Sequence, residues 1–143
     1  MSVKRVTPPE AAALLDSGWK YVDVRSIPEF LDGHPAGSYN VPLLHLMAGR
    51  GMVANPDFEK VMGAKFAKDD KLVLGCRSGG RSLRAAEMLQ AAGFASVVDM
   101  RGGWDGERDA MGQVGVVGWR DAGLPSARTA EPGRSYEELA GAK

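Results

Sequence analysis

Short apolar runs alternate along the chain with segments in which apolar residues recur at helical spacing. The apolar runs have the length and the β-branched content of buried strands, and they cover residues 21–25, 71–74 and 96–100. The segments with helical spacing predict helices at residues 7–18, 55–66 and 85–93. Strands that alternate with helices in this way predict an α/β fold, with a parallel sheet covered by helices on both faces.

Local signals mark where the predicted helices begin and end. Thr7 is followed three residues later by Glu10, which is the spacing of a capping box, and the two prolines between them are tolerated in a first turn. Gly18 is predicted to end this first helix, and Gly93 is predicted to end the third. The sequence therefore predicts helix ends as well as helix faces.

Other segments give weaker patterns. We predict one helical turn at residues 27–32, a loop at 33–37 and a short strand at 38–41. In residues 43–54 the apolar residues recur with neither helical nor strand spacing. Residues 102–123 are predicted to add one or two short helices around the tryptophans at 104 and 119. The chain becomes polar after Pro125, so we predict one domain over residues 1–125 and a tail over 126–143 that is disordered or forms a short helix capped by Ser135.

Composition narrows the class of protein. The 143 residues suffice for one domain, and 18 basic residues balance 18 acidic ones, which gives no indication of nucleic acid or an anionic membrane as partner. Neither a signal sequence nor an apolar run of about 18 residues is visible, so we expect a cytoplasmic protein that crosses no membrane. A single cysteine cannot form an internal disulfide.

That cysteine, Cys76, follows an apolar strand and precedes a glycine-rich turn that leads into a helix. Glycines allow successive backbone N–H groups to turn inward, and a helix start adds unpaired N–H donors, so the loop predicts an anion cradle. A helix start with nearby arginines also favours the reactive thiolate of cysteine. The candidate site consists of the nucleophile and the six residues after it: Cys76, Arg77, Ser78, Gly79, Gly80, Arg81 and Ser82.

Several interpretations of this loop compete. A lone cysteine after a strand is often a small buried hydrophobic residue. Residues 75–82 also approach a nucleotide-binding P-loop, although Arg81 stands where that loop has a lysine. A cysteine phosphatase has five residues between its cysteine and arginine, whereas four separate Cys76 from Arg81. The smaller ring is better suited to the remaining interpretation, a cradle for a persulfide sulfur.

Three motifs in order resemble the rhodanese family. Residues 23–25, followed by 29–30 and 33–42, resemble the opening signature of that family. Residues 76–81 resemble its six-residue active loop, and residues 102–104 with 123–125 resemble its closing signature. The resemblance covers roughly residues 5–125.

The resemblance implies a five-stranded parallel sheet and sulfur transfer through a persulfide on Cys76. It implies thiosulfate as the sulfur donor, held by Arg77 and Arg81, and cyanide, a thiol or a protein as the acceptor. No cofactor is implied. The alternative from another class is a non-enzymatic binding module or sulfur carrier with the same fold, which acts with a dedicated protein partner.

A few further residues are candidates for a supporting role. Asp23 and Arg25 stand at a strand end, where parallel sheets place their sites, although a structural ion pair is the favoured interpretation. Trp104 is expected to line the pocket or the core. His34 is expected to be a turn residue, and His45 has no partner at metal-ligand spacing, so no metal site is predicted.

Overall fold

A computed structural model describes residues 3–77 and 80–141 of the chain. Its helices are α1 (Pro8–Asp16), α2 (Ile27–Leu31), α3 (Phe58–Lys65), α4 (Gly80–Ala91) and α5 (Tyr136–Gly141). Its strands are β1 (Lys4–Val6), β2 (Lys20–Asp23), β3 (His34–Pro35), β4 (Tyr39–Asn40), β5 (Leu44–Met47), β6 (Gly51–Ala54), β7 (Lys71–Gly75), β8 (Ser96–Met100), β9 (Glu107–Arg108), β10 (Val114–Val116) and β11 (Ser126–Ala127).

Five strands form one parallel sheet in the order β1-β8-β7-β2-β4. Side chains of α3 and α4, among them Met62 and Leu89, cover one face of this sheet. Ala11 of α1, together with Trp104 and Trp119, covers the other face. The predicted α/β architecture, with helices on both faces of a parallel sheet, is therefore confirmed. The strand β1, which the sequence analysis did not predict, completes one edge of the sheet.

The register of the sheet gathers polar side chains at its carboxyl edge. Gly75 at the end of β7 lies opposite Asp23 of β2, and Leu74 lies opposite Asp99 of β8. The residue that follows β7 is Cys76. Cys76 and the two carboxylates therefore share the edge at which parallel sheets place their sites.

The predicted capping box at the start of α1 is present. The Glu10 N–H donates to the Thr7 hydroxyl at 3.4 Å, and the Thr7 N–H donates to the Glu10 carboxylate at 2.8 Å. The Glu10 carboxylate also accepts from the Thr7 hydroxyl at 3.1 Å, and the two hydrogen bonds that it accepts from Thr7 lower the pKa of Glu10. Two of the unpaired N–H groups at the helix start are thereby satisfied.

The prediction of short helices within residues 102–123 is wrong. This segment consists of turns and the antiparallel hairpin β9–β10, in which Arg108 pairs with Val114. Gly102 and Gly106 adopt positive φ, which a continuous right-handed helix does not tolerate. At Gly102 the space that a Cβ would occupy is filled by Val116, so the turn packs directly against the hairpin.

Residues 43–54, which show no period in the sequence, form a second hairpin. Strands β5 and β6 pair antiparallel, with Leu44 opposite Ala54 and Met47 opposite Gly51. Both strands are largely exposed, so neither face imposes the alternation of buried and exposed residues that would identify them.

Residues 126–141, which the sequence sets apart as a tail, pack against the domain. Strand β11 pairs antiparallel with β3, and β3 lies in residues 33–37, which were predicted to form a loop. The predicted short helix is present as α5, and the Glu138 N–H donates to the Ser135 hydroxyl at 3.2 Å. Leu139 of this helix is buried in the core. Within the two described ranges, no helix is long and apolar enough to cross a membrane.

Candidate active site

Cys76 lies in a buried loop that a neighbouring segment holds in place. Its side chain is buried after β7, and α4 begins four residues later at Gly80. The Trp104 N–H donates to the Cys76 carbonyl at 2.8 Å, and the Asp105 N–H donates to the Arg77 carbonyl at 2.9 Å. Two hydrogen bonds therefore fasten the start of the loop to residues 104–105. Ser78 and Gly79, which the sequence analysis places in the same loop, lie outside the described residues.

Two glycines make this close packing possible. Gly103 adopts a φ of 53°, and a Cβ on it would overlap the carbonyl oxygen of Cys76. A Cβ on Gly75 would overlap the hydroxyl group of Tyr21, which lies beneath the end of β7. Burial raises the pKa of Tyr21, so its phenol stays protonated there. Each glycine admits a neighbouring group that an alanine would displace.

Arg81, in the first turn of α4, forms an ion pair with Glu29 of α2. Its two terminal nitrogens donate to the two carboxylate oxygens of Glu29 at 2.7 and 2.9 Å. Glu29 also accepts from the backbone N–H and the hydroxyl of Ser26, at 3.1 and 2.9 Å. Burial on its own would raise the pKa of Glu29, but the hydrogen bonds from Arg81 and Ser26 outweigh it and lower the pKa to about 2. This bidentate pair ties α2 to α4.

Arg77 stands at the rim of the site. Its side chain is 67% exposed, and its Nε donates to Asp105 at 2.6 Å. The other oxygen of Asp105 accepts from Arg120 at 3.0 Å. Asp105 therefore forms ion pairs with both Arg77 and Arg120. Because these ion pairs are exposed to solvent, they contribute little to the stability of the fold.

Asp23 and Arg25 form a buried ion pair. The Arg25 Nη2 lies 2.7 Å from the carboxylate of Asp23 and also donates to the Gly33 carbonyl at 2.5 Å. The Arg25 guanidinium stands over the Trp104 ring, 5.4 Å from its centroid. Burial opposes the charge of Arg25, but the ion pair with Asp23 outweighs it and raises the pKa of Arg25. The pair anchors the end of β2 to the loop before β3, which is the structural role favoured from the sequence.

Ser82, in the first turn of α4, is bound by a carboxylate at the carboxyl edge of the sheet. Its hydroxyl donates to the buried carboxylate of Asp99, which also accepts from Arg5 at 2.8 Å. Burial raises the pKa of Asp99, whereas the hydrogen bonds from Ser82 and Arg5 act in the opposite direction. This network fixes the start of α4 relative to β8.

Three acidic residues of this arrangement were not identified as site residues from the sequence. Glu29 was quoted only as part of a motif, and Asp99 and Asp105 were not singled out. Each of them binds a side chain of the 77–82 loop. The available signal was chemical: the loop carries two arginines and two serines, and acidic side chains are their usual partners.

The histidines have structural contacts. The ring of His34 is buried and lies 2.6 Å from the Phe30 carbonyl through Nδ1 and 3.2 Å from the Thr129 carbonyl through Nε2. The ring of His45 packs edge-on against Tyr136. In the parts of the chain that the structure describes, no group of three or more His, Cys, Asp or Glu side chains is arranged to hold a metal ion.

Comparison with known proteins identifies the family of this fold and loop. The family model described as Rhodanese-like domain matches residues 7–109. The chain is 39% identical over 113 residues to Thiosulfate sulfurtransferase 16, chloroplastic, of Arabidopsis thaliana, which covers 79% of this chain and 83% of that protein. The crystal structure of Rv0390 from M. tuberculosis matches with a TM-score of 0.74 at 28% identity, covering 90% of this chain and 100% of that one.

This chain belongs to the rhodanese-like domain family. Two of its relatives in Arabidopsis thaliana are named Thiosulfate sulfurtransferase 16, chloroplastic, and Thiosulfate sulfurtransferase 18. The chain is also 44% identical over 94 residues to Senescence-associated protein DIN1 of Raphanus sativus, covering 66% of this chain and 51% of that protein, so it spans about half the length of that relative. Some relatives are named chloroplastic or mitochondrial, and a cytoplasmic location for this chain therefore stays a prediction.

Removing the charge of Glu29 is expected to change how stability depends on pH. The folded-state pKa of Glu29 is about 2, below its ordinary value of 4.5, so its contribution to stability is present at neutral pH and is lost as the pH falls towards 2. The wild type should therefore exceed Glu29→Gln in unfolding free energy at pH 7, and the difference should shrink between about pH 5 and 2. Denaturant titration across this range measures it.

The exposed Glu87 of α4 supplies the control. Glu87→Gln should leave the unfolding free energy near the wild-type value throughout the pH range, because an exposed charge is screened by solvent. A gap between wild type and Glu29→Gln that stays constant down to pH 2 would show that the ion pair with Arg81 is not its source.

Proposed function

We propose that this protein is a thiosulfate sulfurtransferase that carries sulfur as a persulfide on Cys76. The proposal rests mainly on one observation: the cysteine stands at the carboxyl edge of a parallel sheet, in a loop fastened to residues 104–105 and followed by the start of α4. Membership of the rhodanese-like domain family favours a persulfide cradle over the phosphatase and P-loop interpretations.

In the first step the Cys76 thiolate attacks the outer sulfur of thiosulfate. The S–S bond of thiosulfate breaks, and sulfite leaves with the bonding electron pair. The outer sulfur stays on Cys76 as a persulfide. We propose that backbone N–H groups of residues 77–82 stabilise this persulfide, in the way that an oxyanion hole stabilises developing charge.

In the second step a nucleophile removes the sulfur. Cyanide becomes thiocyanate, whereas a thiolate becomes a persulfide, and Cys76 leaves as a thiolate in either case. The two half-reactions share only the modified enzyme, so ping-pong kinetics are expected. Initial rates with thiosulfate and cyanide should give parallel double-reciprocal lines. Intersecting lines would argue against a covalent relay, and fast loading with slow turnover on small acceptors would favour a carrier for a protein partner.

The two arginines of the loop have different tasks in this proposal. Arg81 is committed to Glu29, so we assign it to positioning the loop, whereas the exposed Arg77 is available to the sulfonate end of the donor. Ser82 supports the helix start through Asp99. These roles refine the expectation that both arginines bind the donor.

Replacing Arg77 is expected to weaken donor binding more than catalysis. Arg77→Gln should raise KM for thiosulfate by about 3- to 10-fold and change kcat by less than about 2-fold, because an exposed charge attracts an anion modestly. Arg101 is a matched control, since it is also exposed and ion-paired, to Glu107 at 2.9 Å. If Arg101→Gln raises this KM as much as Arg77→Gln does, the assignment of Arg77 to the donor is wrong.

A further inference from the structure

A cavity of about 410 Å³ adjoins the site, and the segment after Pro125 forms one of its walls. Pairing of β11 with β3 brings Ala127 and Arg128 into the lining of this cavity, together with Asp32, Trp104 and Arg120. The family model ends at residue 109, so this wall lies outside the part of the chain that the model matches. We call this space the β11 cavity.

The floor of the β11 cavity is the Trp104 ring. Gly33 packs against this ring, and a Cβ on Gly33 would lie 2.7 Å from its Cζ2 atom. Because Gly33 has no side chain, the ring lies directly under the loop before β3. The backbone N–H of the same tryptophan donates to the Cys76 carbonyl at 2.8 Å. One residue thus connects the cavity with the loop that carries the nucleophile.

A second space, of about 320 Å³, neighbours the β11 cavity and includes Arg77 of the active loop in its lining. Both are lined by Asp32, Trp104 and Arg120, and the second is also lined by Arg25 and Arg77. The three shared lining residues therefore place the β11 cavity next to the space that Arg77 lines.

Charges in the combined space pair with one another, with two exceptions. Arg77 and Arg120 share Asp105, Arg25 pairs with Asp23, and Glu29 pairs with Arg81. Within residues 3–77 and 80–141, the Arg128 guanidinium and the Asp32 carboxylate form no ion pair or side-chain hydrogen bond, either together or with other groups. The cavity is thus lined by one cation and one anion, both of them exposed, that form no ion pair with each other.

We propose that the β11 cavity is the subsite for the sulfur acceptor and that it selects a small thiol with an amino-acid head group. The carboxylate of this thiol binds Arg128, its ammonium group binds Asp32, and its chain lies over Trp104. This inference rests on the proposed function, since it names the class of acceptor for the same relay. A head group with both charges matches the two unpaired side chains, whereas a simple anion would leave Asp32 opposed to it.

The transfer step is balanced without an oxidant or a reductant. The thiolate of the acceptor attacks the outer sulfur of the Cys76 persulfide. The bond between this sulfur and the Cys76 Sγ breaks, and a new S–S bond forms on the acceptor. Cys76 leaves as a thiolate with the electron pair of the broken bond, and the proton of the persulfide remains with the product.

Four acceptors test the contribution of each charge of the head group. Cysteine has both charges, 3-mercaptopropionate has only the carboxylate, cysteamine has only the ammonium group, and cyanide has neither. Sulfite release from thiosulfate is the readout for all four, and comparison of each variant with the wild type cancels the intrinsic reactivity of the thiol. Arg128→Gln should raise KM by about 5- to 10-fold for cysteine and 3-mercaptopropionate only. Asp32→Asn should raise it for cysteine and cysteamine only.

Arg50 provides the matched control, because it is exposed at the turn between β5 and β6 and carries the same charge. Arg50→Gln should leave KM unchanged for all four acceptors. The subsite is wrong if Arg128→Gln leaves KM for the carboxylate-bearing thiols unchanged, or if it affects all four acceptors equally.

A binding measurement keeps the subsite testable without turnover. S-methylcysteine has the same head group but cannot accept sulfur, and it should shift the indole NMR signal of Trp104 in the wild type and much less in Arg128→Gln. Absent sulfite release with cyanide would contradict the proposed function. A Trp104 signal that does not respond to S-methylcysteine would contradict the subsite.

Discussion

Cys76→Ser is expected to abolish sulfur transfer and leave the fold intact. A serine hydroxyl cannot take the place of a thiolate as nucleophile or form a persulfide, so kcat with thiosulfate and cyanide should fall at least about 10³-fold. The side chain is buried but small, so the exchange of sulfur for oxygen should cost no more than about 2 kcal/mol of stability. Steady-state assay and thermal unfolding of the same preparation measure both effects.

The outcome that contradicts this expectation is a folded Cys76→Ser protein with substantial turnover. Such a result would place the nucleophile elsewhere, although Cys76 is the only cysteine in the chain. Loss of activity together with loss of the folded state would be uninformative about chemistry, and Cys76→Ala then supplies the second variant, because a methyl group suits this buried position.

Gly103→Ala is expected to destabilise the protein strongly. Gly103 has a φ of 53°, and an added methyl group would overlap the carbonyl oxygen of Cys76 and crowd the backbone of Arg77. Two costs therefore add: about 1 kcal/mol for the left-handed backbone and about 1 to 3 kcal/mol for displacing a packed main chain. The Trp104 and Asp105 hydrogen bonds to the loop should lengthen or break, so kcat should fall as well.

Gly123→Ala separates these two costs. Gly123 also has positive φ, at 73°, but a Cβ there meets no atom within 4 Å. Gly123→Ala should therefore lower the unfolding free energy only by the cost of the left-handed backbone, about 1 kcal/mol, and should retain activity. Denaturant unfolding of both variants is the measurement. Equal losses at the two positions would show that contact between Gly103 and the active loop is not what requires a glycine.

The parts of the fold that were predictable are those in which one segment carries its own pattern. The apolar run of β7 identifies a central strand because its residues are buried on both faces. Thr7 and Glu10 mark the start of α1 because both partners of the capping box lie within one turn.

The parts that were missed depend on partners distant in the chain. Strands β3 and β11 contain two residues each, too few for a period of two to be visible, and they exist because Pro35 pairs with Ser126. The hairpin β9–β10 was missed because its strands contain only two and three residues, and the packing of Val116 against Gly102 is a tertiary contact that no local pattern shows. Packing over long sequence separation, rather than local propensity, determines these elements.

The candidate site also contains residues that the sequence pointed to and residues that it did not. Cys76, Arg77 and Arg81 stand together in one loop, so spacing and residue type were enough to propose them as site residues. Glu29 and Asp105 lie 52 and 28 residues from the arginines that they bind, and no local pattern connects them. Their positions follow from the meeting of strand ends at one edge of the sheet, which becomes visible only in three dimensions.

The most direct test of the central claim is the intact mass of the protein after incubation with thiosulfate. Persulfidation of Cys76 should add one sulfur atom, about 32 Da, and cyanide should remove it. Cys76→Ser should show no gain under the same conditions. If the wild type gains no mass, or if the serine variant gains as much as the wild type, then Cys76 does not carry sulfur from thiosulfate.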